Sequence, residues 1–150
     1  MQISTILTDE RCKAKATDAS KKRVLESLAS LFASDLPDTD ETTIFQCLIA
    51  RERLGSTGIG QGVAIPHCRL SASNQTLCAC ITLDHPVDFD AVDGAPVDVI
   101  FAILVPEDAE DSHLQTLATL AEALQNPNFT RKLKACSSNE ELFRVAAGVN

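Results

Sequence analysis

The residues best suited to chemistry lie in one stretch, residues 54–69, which reads LGSTGIGQGVAIPHCR. Four glycines in eight positions, Gly55, Gly58, Gly60 and Gly62, give a backbone able to visit positive φ and to present its amides. A short apolar run, Val63, Ala64 and Ile65, predicts a strand that finishes at Pro66, with His67 held at its end. A positioned imidazole beside glycine amides suits phosphate chemistry. Neutral imidazole attacks phosphorus in line and later passes the group on, and at its ordinary pKa it is largely neutral at pH 7. From spacing alone, a histidine that merely closes a strand fits as well.

A phosphoryl group in transit carries negative charge on its oxygens, so it needs positive potential and amide donors around it. Arg51 and the amides of Gly58, Gly60 and Gly62 are the candidates. Arg51 falls in the last turn of a predicted helix, where a cation also complements the macrodipole, and Arg53 would do that equally well. Ser56 and Thr57 either hydrogen-bond a phosphate or cap the loop. His113 falls in the first turn of a later helix, where exposed amide dipoles would meet an anion; a solvent-exposed histidine is the plainer reading. His85, before Pro86, reads as surface. A P-loop needs lysine and a hydroxyl residue after its final glycine, and Gly60 is followed by Gln61 and Gly62. His67, Cys68 and His113 lack the C-x-x-C or H-x-x-x-H spacing of a zinc site. No cofactor and no metal is implied.

Several elements must position these residues. Val24, Leu25, Leu28, Leu31 and Phe32 recur at helical spacing behind Ser20 or Asp18 as N-cap. A second helix begins near Thr39 or Asp40, turns Ile44, Phe45, Leu48 and Ile49 inward, and runs through Arg51 until Gly55 stops it. Residues 77–83 read as a strand broken by His85-Pro86, and Asp93-Gly94 as a hairpin-like turn. Residues 97–105 are apolar on both faces apart from Asp98, the pattern of a central strand. Leu114, Leu117, Leu120, Ala121 and Leu124 mark the inner face of a helix capped by Asp111 or Ser112. Asn126-Pro127 opens a short helix, and Ser138 with Glu141 forms a capping box for the last one. Residues 1–19 offer only Ile3, Ile6 and Leu7 as anchors for a turn or short helix. Helices on both sides of the strands predict an α/β or α+β sandwich, a mixed β-sheet flanked by helices.

The chain of 150 residues is expected to form a single domain, residues 1–150. A formal charge of −8 and a pI near 4.7 oppose binding to nucleic acid or to an anionic membrane. No apolar run has the length of a membrane span, so no membrane insertion is expected. Cys12, Cys47, Cys68, Cys78, Cys80 and Cys136 read as reduced thiols, because no secretory leader is visible; the expected location is cytoplasmic.

The stretch G-S-T-G-I-G-Q-G-V-A-I-P-H resembles the phosphorylation-site motif of the type-2, mannitol/fructose-like IIA domains of the bacterial phosphotransferase system. A-R-E-R-L before it and P-V-D-F-D-A-V-D-G-A-P-V-D-V-I-F-A-I-L-V-P-E-D after it are also similar, so the likeness spans about residues 20–143. Among branches it is most similar to the stand-alone nitrogen-regulatory IIA proteins. The resemblance implies a mannitol-type IIA fold and a phosphoryl group accepted on His67 from a phosphocarrier protein of the HPr or NPr kind. It places Arg51 and His113 near that histidine, with His113 bonding the phosphate or orienting the ring. Regulatory branches bind potassium-transport and sensor-kinase proteins. A sugar-specific IIA that passes phosphate to a separate IIB domain is the alternative, and an interaction module without chemistry is another. A modest patch around Ile59 and Val63 is the expected docking surface. Cys68 departs from the family, where glycine is common, and a larger side chain there would alter solvent access or confer redox sensitivity.

Overall fold

The run that is apolar on both faces becomes the strand on which the others assemble. The computed structural model of the chain describes residues 2–71, 73–109 and 112–148, with side chains at all of these but 112 and 113. In chain order the elements are β1 (Cys12–Ala16), α1 (Lys21–Ala33), α2 (Glu41–Arg53), β2 (Gly58–Gly60), β3 (Val63–Ala64), β4 (His67–Leu70), β5 (Leu77–Val87), β6 (Val97–Pro106), α3 (Ser112–Leu124), α4 (Pro127–Ala135) and α5 (Asn139–Ala146). The sheet order is β1-β5-β6-β3-β2, with β4 also on β6. Pairing is mixed: β5 and β6 are antiparallel, as are β2 and β3, while β1 on β5 and both β3 and β4 on β6 are parallel.

Alternation along β6 divides the core. Ile100, Ala102 and Leu104 meet Leu25, Leu28, Phe32, Ile44 and Leu48 of α1 and α2. Val99, Phe101, Ile103 and Val105 meet Leu120, Leu124, Leu133 and Leu142 of α3 to α5. The result is three layers, helices on both faces of a mixed sheet, as the sequence predicts. A strand covered on both sides has no polar face to show, which is why residues 97–105 read as continuously apolar.

The helix starts follow from their caps. Ser20 Oγ accepts from the Arg23 amide at 3.1 Å and Asp40 Oδ1 from the Thr43 amide at 2.8 Å. Asn126 Oδ1 accepts from Asn128 at 3.0 Å ahead of Pro127, and Ser138 Oγ from Glu141 at 3.1 Å. Asp111 lies outside the described residues.

Four expectations are corrected. Residues 12–16 form an edge strand, β1, after two 3-10 turns, and Arg11 is buried, donating to the carbonyls of Cys78 at 2.9 Å and Ile6 at 2.8 Å and pairing with Asp35. β5 continues through His85-Pro86 to Val87, because its pairing shifts register beyond Thr82 and leaves the proline without a ladder bond to donate. Gly58–Gly60 is a strand rather than loop, paired to β3 through Gln61 (φ 59°) and Gly62 (φ 80°), the positive φ values a two-residue hairpin requires. Leu114 is 55% exposed rather than turned inward.

Candidate functional site

His67 does not hang from the end of a finished strand; it opens a new one. Val63 pairs with Val99 and His67 with Ile103, the same offset on either side of Pro66, so β3 and β4 are one strand line broken for two residues. Pro66 has no amide to donate, yet its carbonyl still accepts from the Ile103 amide at 2.9 Å. The break brings the Ile65 carbonyl back to the ring, and His67 Nδ1 lies 2.8 Å from that oxygen. A carbonyl only accepts, so Nδ1 carries the proton and Nε2 carries the lone pair. The imidazole is half-buried and held by its own strand.

Beside it a groove of about 490 Å³ runs along β4, with α2 on one side and α3 on the other. Arg51 and Leu54 from the α2 end, His67 and Cys68 from β4, and Leu114 and Leu117 from α3 line it. The structure thus brings Arg51 and His67 to one cavity. The Arg51 Nη1 donates to the Gly55 carbonyl at 2.8 Å, closing the C-terminal turn of α2 with its guanidinium at the groove. Arg53, two residues on, is exposed and does not line the groove. The backbone of His113 lies in the first turn of α3, but its side chain is outside the described residues.

The glycine stretch has a different place from the one its composition suggests. Thr57 is buried, and both its amide, at 3.2 Å, and its hydroxyl bond the carboxylate of Glu52. Ser56 Oγ donates to the Phe89 carbonyl at 2.6 Å and accepts from the Gly58 amide at 2.9 Å. Gly58, in β2, lies so close to the 88–94 turn that a Cβ there would stand 2.7 Å from Ala91 Cβ. Gln61 donates its amide to Asp93 Oδ2 at 3.0 Å. None of Ser56, Thr57, Gly58, Gly60 or Gly62 lines the groove. These residues form a shelf bolted to the neighbouring turn, and their hydrogen bonds and close approaches hold the strand line that presents His67.

Glu52 is a residue the sequence reading passed over. Its side chain is 2% exposed, and besides Thr57 it meets Lys21 Nζ at 2.9 Å. A carboxylate at a helix C-terminus opposes the macrodipole, so the lysine and the two Thr57 donors offset that cost. Lys21 continues to Asp90 at 3.7 Å and stands over the Phe89 ring at 5.0 Å, tying α1, α2, the shelf and the 88–94 turn together. Nothing in the composition of A-R-E-R-L separates this glutamate from a solvated one.

Two further expectations change here. Cys47 and Cys68 are not separate thiols: the structure joins them in a disulfide, with Cα atoms 6.1 Å apart, because β4 turns Cys68 towards α2. Cys12, Cys78, Cys80 and Cys136 remain reduced and buried. Burial pushes the Cys12 thiol up to about 12, with Asp9 adding to the rise, and burial likewise raises Cys78 and Cys80. Val63 is fully buried, so no docking patch centres on it; Leu54 at 84% and Leu114 at 55% exposure instead place apolar side chains at the groove.

A three-layer fold with His67, Arg51 and Arg69 on a shared groove matches a known family. Residues 5–147 fit the family described as phosphoenolpyruvate-dependent sugar phosphotransferase system, EIIA 2, and the chain belongs to it. Within that family the chain is similar to the nitrogen regulatory protein of Pseudomonas aeruginosa, 46% identical over 99% of this chain and 97% of that one. It also superposes on the crystal structure of the nitrogen regulatory protein IIA-Ntr from Neisseria meningitidis with a TM-score of 0.90, at 40% identity, over 96% of this chain and 98% of that one. IIA mannitol from Escherichia coli shares the fold, with a TM-score of 0.75 at 18% identity over 93% of this chain and 97% of that one. No described helix is long and apolar enough to cross a membrane.

Proposed function

We propose that the chain is a regulatory phosphocarrier: His67 takes a phosphoryl group from a phosphohistidine on a small phosphocarrier protein of the HPr or NPr kind and holds it as a signal. The observation that carries the reading is the hydrogen bond from Nδ1 to the Ile65 carbonyl, which makes Nε2 the nucleophilic nitrogen of a ring that shares its groove with Arg51. Nε2 attacks phosphorus while the bond to the donor's nitrogen breaks and its electrons return to the donor imidazole. Charge on the equatorial oxygens is met by the Arg51 guanidinium, which turns from the Gly55 carbonyl, and by His113 from the first turn of α3. The shelf residues Ser56, Thr57, Gly58, Gly60 and Gly62 support the strand line instead of binding the phosphate. The apolar groove walls, Leu54 and Leu114, are the surface a transient partner covers.

Similarity to nitrogen regulatory proteins supports the regulatory role over sugar transport. Partners of the potassium-transport and sensor-kinase kind, and a cytoplasmic location, follow from the same family reading. The test is labelling by radioactive phosphoenolpyruvate and the general phosphotransferase components. One acid-labile, alkali-stable phosphoryl group per chain is expected, absent from His67→Ala, and unchanged labelling of that variant would defeat the proposal. Onward transfer of the label to a membrane IIB domain would instead identify a sugar-specific IIA.

A further inference from the structure

The phosphoacceptor candidate has a second reactive feature beside it. Cys68 follows His67 on β4, and its disulfide partner Cys47 lies one helical turn before Arg51 on α2, so the bridge joins the strand that carries the imidazole to the helix that carries the guanidinium. Both cysteines line the groove, which opens to solvent. The other four are buried and reduced, closed off from exchange. The reduced pair is also accommodated, since the Cys47 sulfur lies 3.1 Å from the Arg69 carbonyl oxygen and would donate to it as a thiol.

We propose that Cys47 and Cys68 are a redox-active pair, exchanging with low-molecular-weight disulfides of the glutathione class, and that the bridged state slows phosphoryl transfer to His67. The second half rests on the phosphocarrier reading. Cys47 is the more accessible of the two, so its thiolate attacks one sulfur of the small disulfide and expels the first thiolate. The Cys68 thiolate then attacks the Cys47 sulfur and expels the second. The pair loses two protons and two electrons, and the small disulfide leaves as two thiols. In the bridged form the Arg51 guanidinium holds the Gly55 carbonyl. The crosslink prevents α2 from adjusting against β4 as the guanidinium turns to an incoming phosphoryl group, and in-line transfer is sensitive to misplacement of an ångström.

The test uses the whole chain in buffers of oxidised and reduced glutathione. Maleimide labelling of native protein should fall from two thiols to none as the buffer becomes oxidising and return with dithiothreitol, the buried four reacting only in denaturant. Initial phosphorylation of the oxidised protein should be about fivefold slower or more than that of the reduced protein. The double variant Cys47→Ser, Cys68→Ser should transfer at one and the same rate in either buffer. Persistent labelling of the pair in oxidising buffer, equal rates in both states, or the same slowing in the double variant would overturn the proposal. No phosphorylation in any state would remove the acceptor reading and with it the coupling, while the labelling series still decides whether the pair exchanges.

Discussion

The Glu52 carboxylate receives both the amide and the hydroxyl hydrogen of Thr57, so the end of α2 and the start of the glycine shelf are one hydrogen-bonded unit. Lys21 supplies the compensating charge. Glu52→Ala leaves a partly buried lysine and two Thr57 donors without that carboxylate, and should lower unfolding stability by about 3 kcal/mol. Glu52→Gln keeps an acceptor for Thr57 and should lose less. Urea denaturation measures both; a Glu52→Ala midpoint equal to wild type would show that the unit contributes nothing.

Arg51 should matter to transfer and little to folding. Arg51→Ala removes a cation from the groove and should slow phosphorylation of His67 by about 100-fold or more. Arg51→Lys should recover part of the rate, because the ammonium keeps the charge without the planar fork. Arg53→Ala, exposed and outside the groove, should leave the rate unchanged. Initial rates with the phosphocarrier as donor separate the three, and a slow Arg53→Ala beside a normal Arg51→Ala would reverse the assignment.

Gly58→Ala should destabilise although alanine is only one methyl larger. Its Cβ would stand 2.7 Å from Ala91 Cβ and 2.9 Å from Ala91 Cα, so relief requires the 88–94 turn to move. A cost of about 1–3 kcal/mol is expected. A thermal midpoint within error of wild type would mean that the turn yields freely. Gly55, with nothing within 4 Å of an added Cβ, supplies the contrast on the space term.

The buried thiols predict alkaline sensitivity. In the unfolded chain they ionise near about 8.5, whereas burial holds folded Cys12 protonated up to about 12. The unfolded state therefore binds fewer protons above pH 9, and stability, fully present below about 8.5, falls as pH rises towards 12. Urea midpoints measured from pH 8 to 10.5 should decline in a reducing buffer, less steeply for Cys12→Ala. A flat profile would contradict the burial of these groups.

Much of the frame was readable because local chemistry and tertiary packing agree. Ser20, Asp40, Asn126 with Pro127, and Ser138 cap the helices they predict, and a run apolar on both faces is the central strand. Where pairing alone decides, the sequence was silent. Lys13 and Lys15 give β1 no apolar alternation beyond small alanines, and glycines form β2 only because β3 lies alongside. Composition made the glycines look like a phosphate cradle, yet the amides of Thr57 and Gln61 between them bond Glu52 and Asp93, and the Gly58 carbonyl accepts from the Val92 amide. Cys47 and Cys68 stand 21 residues apart on a helix and a strand, and only the packing of α2 on β4 brings them together.

The central claim is that Nε2 of His67 accepts the phosphoryl group, and nitrogen-15 NMR of the protein before and after phosphorylation tests it most directly. The Ile65 hydrogen bond predicts a protonated Nδ1 in the resting ring and a phosphorus-coupled Nε2 in the modified one. Phosphorus coupling at Nδ1, or an unmodified His67 ring in protein that carries the label, would contradict the account.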